Sequence, residues 1–269
     1  MSMNGSIRVI ACLVLFAFAP PPGHSRGAEQ NWTVNDLTNA IALSAVETQD
    51  SFSKLSLMNK SPEVVTAVAL LFKAGTHHYE DWLGSESEGL APGENFEIMV
   101  GPDEAADRKI KIVAVLFQDG GGKGDASQID VMNLHRFGQI LEQSRIHDIL
   151  KSGRDPAGDE GINDIVQKIG HIPRSAGEAL ESLDSFSVPG ISIADLKRTG
   201  GNSRDAILWG VSTAREEALR EMQAVKELPL SSADKRVPSR AEFLSFMRGT
   251  YEKRNQRGTE LIRQMKGGR

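Results

Sequence analysis

His77-His78, followed by Glu80 and Asp81, is the densest group of metal-ligating side-chain types in the chain. Imidazole nitrogens suit zinc, copper or nickel. Adjacent residues of a strand point to opposite faces, so both histidines reach one ion only from an irregular loop. A solvated hairpin end is the simpler account. Asp119 and Asp125 bracket the glycine-rich run DGGGKGD. Carboxylate oxygens on a flexible turn suit Ca²⁺. The run lacks the alternating Asp/Asn ligands and terminal Glu of an EF-hand. It also departs from the phosphate-binding P-loop, because Gly124 and not Ser or Thr follows Lys123. A hairpin whose glycines allow positive φ accounts for it more simply. The candidate metal ligands are therefore His77, His78, Asp119 and Asp125.

Other chemistry is thinly represented. His135, His147 and His171 lie in the second half, and the spacing of His135 from His147 does not place both on one metal at one helix face. No H-E-x-x-H and no G-x-S-x-G occurs. The single cysteine, Cys12, leaves residues 13–269 without thiol chemistry or a disulfide. No motif implies a cofactor.

These side chains must be positioned by two kinds of element. Phe52–Met58 alternates apolar and polar with period two, as a strand with one buried face does. Val64–Phe72 is a continuous apolar run rich in β-branched residues, which predicts a central strand. His77–Leu83 pairs back as another strand, Asn95–Val100 alternates again, and Lys109–Phe117 is the strongest strand pattern. A last short segment follows the glycine turn. Six short strands at this spacing predict an antiparallel sandwich. Residues 30–49 read as a helix or an irregular lead-in.

The second half has helical spacing. Leu134, Phe137, Ile140, Leu141, Ile149 and Leu150 share one face; Ile162, Ile165, Val166 and Ile169 share another; Ala176, Ala179, Leu180 and Leu183 make a third. A loop spans 188–202. Asp205–Leu228 is the clearest helix, closed by Pro229. Ser239 with Glu242 fits a capping box and opens the last helix.

The stretches LSLMNKSPEVVTAVALLF, GLAPGENFEIMV and KIVAVLFQDGGGKGD together resemble an immunoglobulin- or fibronectin-like sandwich domain of exported bacterial proteins. The resemblance covers residues 52–125 and rests on strands and turns. It implies a binding or spacing module and no enzyme activity.

Ahead of these elements, one basic residue, Arg8, precedes eleven nearly unbroken apolar residues, Val9–Ala19, and then Pro20-Pro21-Pro22 and small residues up to Ala28. That order is the pattern of a secretory signal peptide. The apolar run is too short for a bilayer, which takes roughly 20 residues. Val9-Ile10-Ala11-Cys12 loosely resembles a lipobox, but little apolar sequence precedes it. The expected organisation is a signal peptide at 1–28, a β-sandwich domain at 29–128 and an α-helical domain at 129–269. This makes an α+β protein without a transmembrane segment in its mature chain, periplasmic or secreted.

Charge divides unevenly. Residues 28–130 carry 17 acidic and 7 basic side chains, whereas 236–269 carry 3 acidic and 9 basic. The basic tail, with Arg248, Lys253, Arg254, Arg257, Arg263, Lys266 and Arg269, is suited to electrostatic contact with anionic headgroups, envelope polymers, an acidic partner or the acidic half of its own chain. Export and net negative charge argue against nucleic acid. The favoured function is a non-enzymatic binding, scaffolding or structural role in the bacterial envelope, with an unidentified protein or envelope polymer as partner. The alternative is a metal- or calcium-dependent secreted hydrolase.

Overall fold

The computed structural model describes residues 32–49, 52–72, 77–82, 89–152, 158–171, 201–229 and 238–267. The expected signal peptide, the helix expected at 176–183 and most of the loop expected at 188–202 lie outside them. The chain is α+β, with strands first and helices after.

The described residues form eight strands: β1 (Thr33–Asp36), β2 (Ile41–Gln49), β3 (Phe52–Asn59), β4 (Val65–Phe72), β5 (His77–Asp81), β6 (Asn95–Val100), β7 (Lys109–Phe117) and β8 (Gly122–Gly124). They make two sheets. One has the order β1-β7-β4-β5, with β8 also on β7; the other has the order β2-β3-β6. A one-turn helix α1 (Pro102–Ala105) links β6 to β7.

Two expectations need correction. Of the residues expected as a helix or an irregular lead-in, 30–49, the described part, 32–49, holds strands β1 and β2. Asp36 breaks the chain there. Its Oδ1 accepts from the Thr38 amide at 2.8 Å and the Thr38 hydroxyl at 2.6 Å, and its Oδ2 accepts from the Ile41 amide at 3.1 Å. Such a side-chain turn competes with helix formation. The strand state of Ile41–Gln49 is then set by antiparallel pairing with β3, a partner that a local reading does not weigh. The second correction concerns the sheet. The larger one is mixed, not antiparallel throughout, because β1 runs parallel to β7. The long stretch of chain between them removes the tight-hairpin constraint that enforces antiparallel pairing.

The strand patterns follow from what covers each face. In β3 and β6 buried and outward positions alternate. Leu55, Leu57, Phe96, Ile98 and Val100 point inward to one core with Val65, Val68, Leu70, Phe72, Ile110, Ile112, Val115 and Phe117 of the larger sheet. The larger sheet is covered on its other face too. There Ala67, Ala69, Val113, Ala114 and Leu116 pack against Met132. A strand buried on both faces reads as a continuous apolar run, which is why β4 and β7 lost their alternation. The alanines on that face leave room for a helix to lie close.

The helices are α2 (Ala126–Ser152), α3 (Asp159–Gly170), α4 (Gly201–Glu227) and α5 (Arg240–Gly267). α2 lies between the sheet and the other helices. At its far end Ile146 and Leu150 share a core with Ile162, Ile165, Ile169, Met222, Val225, Met247 and Tyr251. Where α2 crosses α4 the backbones touch. A Cβ on Gly138 would lie 2.0 Å from the Ile207 carbonyl oxygen, and one on Gly210 would lie 1.9 Å from that of His135. Only hydrogen fits at either position. α5 begins with the expected box: the Ser239 amide donates to Glu242 Oε2 at 2.8 Å, and Ser239 Oγ accepts from the Glu242 amide at 3.3 Å. Trp32–Arg269 forms one compact unit.

Candidate functional site

The four candidate metal ligands fall at two separate places. His77 and His78 lie on β5 itself, so their side chains leave opposite faces of the strand. His77 is exposed, and His78 Nε2 lies 2.7 Å from Glu80 Oε1. Asp119 Oδ1 accepts from the Gly121 amide at 2.8 Å, closing the turn between β7 and β8. Gly120 in that turn and Gly124 at the end of β8 have φ of 86° and 115°. Asp125 opens α2: its Oδ1 accepts from the Ser127 amide at 2.9 Å, the Ser127 hydroxyl at 2.6 Å and the Gln128 amide at 3.2 Å. The Ser127 hydroxyl, with these amides, holds its carboxyl below the usual value. Among the described residues, no group of three or more His, Cys, Asp or Glu side chains is placed to hold a metal ion.

The basic tail is partly engaged within the chain. Arg254 donates to Glu217 at 3.0 Å, and its guanidinium lies 5.0 Å from the centre of the Tyr251 ring. Arg248 donates to the Leu150 carbonyl at 2.8 Å, holding α5 to the end of α2. Lys253 is exposed, and the side chains of Arg263, Lys266 and Arg269 lie outside the described residues. No helix among the described residues is long and apolar enough to cross a membrane.

A cluster of ionisable groups from distant segments converges elsewhere, between β5 and α2. Arg136 and Asp81 face each other with side chains only 3% and 4% exposed. Arg136 Nε donates to Asp81 Oδ2 and its Nη2 to Asp81 Oδ1, both at 2.9 Å, while Nη2 also donates to the Thr66 carbonyl at 2.6 Å. The Tyr79 hydroxyl also donates to Asp81 Oδ2, at 2.5 Å. Burial opposes the charge on Arg136, but Asp81 and Tyr79 together outweigh it and hold the guanidinium pKa above its ordinary value. Burial, then the Asp81 charge, pushes the Tyr79 phenol well up.

His135 adjoins this pair. Its ring meets Tyr79 edge-on at 4.7 Å and Trp209 at 4.1 Å between centroids. Burial drives its pKa down to about 4; Asp81 opposes that shift and Arg136 adds to it. The imidazole is therefore neutral at ordinary pH. The Thr213 hydroxyl donates to the Trp209 carbonyl at 3.0 Å, so its lone pair faces His135 Nε2 at 3.4 Å. That assigns the ring proton to Nε2 and leaves Nδ1 as a buried acceptor with no partner among the described residues. Gln139 Oε1 and Gln143 Oε1, at successive four-residue steps along α2, are likewise buried without a partner among the described residues.

The Arg136–Asp81 pair is a clamp. It ties the edge strand β5 and the backbone of β4 to α2, and its two charges satisfy each other. The sequence reading placed Asp81 beside the histidines as a ligand type and missed Arg136. The available signal was parity: Tyr79 and Asp81 share one strand face, opposite to that of His78 and Glu80. Nothing local names the partner, which lies 55 residues away.

The other unusual surface is the outward face of the three-stranded sheet. Phe52 and Met99 are 49% and 61% exposed. Lys54 is paired directly with Met99, so Phe52, two residues earlier, is a diagonal neighbour of Met99 on the same face. Lys54 bridges Glu97 at 2.8 Å and Glu47 at 3.9 Å beside them. Among the described residues no strand pairs with the outer edges of β2 or β6. Comparison of the chain with protein families, with curated proteins and with solved structures finds no match.

Proposed function

We propose that the protein is an exported bacterial envelope protein with a non-enzymatic binding or scaffolding role, built on an immunoglobulin-like sandwich that helices cover on one side. The core shared by the two sheets supports the sandwich reading. The observation that carries the binding role is the outward face of β3 and β6, where Phe52 and Met99 stand in solvent beside the Lys54 ion pairs. Exposed apolar groups rimmed by charge are the usual composition of a docking surface. The helices brace this face from behind, through the core of the larger sheet. The order of charge, apolar run and small residues in 1–28 supports export.

Two measurements test this reading. N-terminal sequencing of the protein from its own host is expected to begin at Ala28 or Glu29; a full-length cytosolic product overturns export. A photo-reactive amino acid at position 99, irradiated in living cells, is expected to form one discrete adduct that disappears with Phe52→Ser. An adduct pattern indifferent to Phe52, or no adduct, overturns the binding face.

A further inference from the structure

Oxidisable sulfur is unevenly distributed over this molecule. Residues 13–269 contain no cysteine, so the methionines carry the sulfur of that whole stretch. Met132, Met222 and Met247 are buried, at 2%, 0% and 2% exposure, whereas Met99 is 61% exposed. Susceptibility of a thioether follows its access to solvent. Met99 also stands on the outward face of β6, diagonal to Phe52 and directly across the ladder from Lys54.

We infer that Met99 is a site of reversible oxidation by peroxide-class oxidants, which switches the outward face of the three-stranded sheet from apolar to polar. This rests on the reading of that face as a docking surface. The step balances simply. The Met99 sulfur attacks one peroxide oxygen, the O–O bond breaks, an S–O bond forms, and the other oxygen leaves as water. Sulfur loses two electrons and the peroxide gains them. The sulfoxide is a polar acceptor on what was an apolar side chain. The Lys54 ammonium, now divided between Glu97 and Glu47, is the cross-strand donor that meets it. Reduction of the sulfoxide by a sulfoxide reductase, with electrons from a thiol, restores the thioether and the apolar face.

The test uses the full chain in dilute hydrogen peroxide, quenched at intervals and mapped by peptide mass. Met99 is expected to gain one oxygen on the order of tenfold sooner than Met132, Met222 and Met247. Equal rates overturn the site. A naphthalene sulfonate dye then reports the apolar face. Peroxide is expected to lower dye fluorescence, Met99→Gln to lower it without peroxide, and Met99→Leu to keep it and resist peroxide. A Met99→Leu protein that loses dye signal as fast as the parent overturns the switch. Dye binding indifferent to both Met99→Gln and Phe52→Ser overturns the docking face, and with it the switch, while the order of oxidation still stands.

Discussion

The two sheets of this protein differ in what covers them, and that difference organises its sequence and its chemistry. The larger sheet is enclosed, with a shared core on one face and α2 on the other. Its β4 and β7 are apolar but for Thr66, Lys109 and Lys111, and the charges buried against it are paired, as Asp81 is with Arg136. The smaller sheet has one open face. Its strands alternate, its charges lie in solvent, and its apolar side chains Phe52 and Met99 are left uncovered. Enclosure makes polar groups structural; openness leaves apolar groups for a partner.

The contrast is broken most severely at the clamp. Arg136→Met leaves the Asp81 carboxylate buried without its counter-charge, and such single deletions cost about 3–5 kcal/mol. Denaturant unfolding is expected to show that loss, and the double variant Arg136→Met with Asp81→Leu to recover much of it. A single variant as stable as the parent defeats the enclosure argument.

Acid probes the same region. His135 is held at a pKa of about 4, against 6.5 for the free side chain. The unfolded chain therefore binds a proton between these values that the folded chain refuses. Stability is unaffected above about pH 6.5, falls as pH drops toward 4, and levels off below. The full contribution is roughly 3 kcal/mol, from 1.36 kcal/mol per pKa unit. Unfolding followed across that window should show the slope in the parent and its loss in His135→Phe; an unchanged slope in the variant assigns it elsewhere.

At the helix crossing, Gly138→Ala forces a methyl against the Ile207 carbonyl oxygen. Overpacking of this kind costs typically 1–3 kcal/mol. Gly249→Ala in α5, where a Cβ meets nothing within 4 Å, is the control that should not destabilise. The open face gives the smallest effect. Met99→Ser should change stability by no more than about 0.5 kcal/mol, as surface substitutions usually do. A large loss there would mean that the face is built for packing, not for docking.

Much of this was legible in residue order. Alternation located β3 and β6, continuous apolar runs located β4 and β7, and three- and four-residue spacing with Ser239 and Glu242 located the helices, because these signals are local. Residues 33–49 were misread because β2 owes its state to β3 and to the Asp36 turn. The DGGGKGD run offered an ion loop as well as a hairpin, with the hairpin the simpler account. It is a hairpin whose Asp125 carboxylate serves the first amides of α2.

Composition and periodicity by themselves determined an α+β chain with strands first, helices after and a sulfur chemistry confined to methionine beyond residue 12. Tertiary structure alone decided which polar residues would meet. Asp81 acquires its meaning from Arg136, Gly138 from Gly210, and Met99 from the absence of a covering layer among the described residues. Each is a relation between segments far apart in sequence, and only the packing of helices onto one sheet and not the other brings it about.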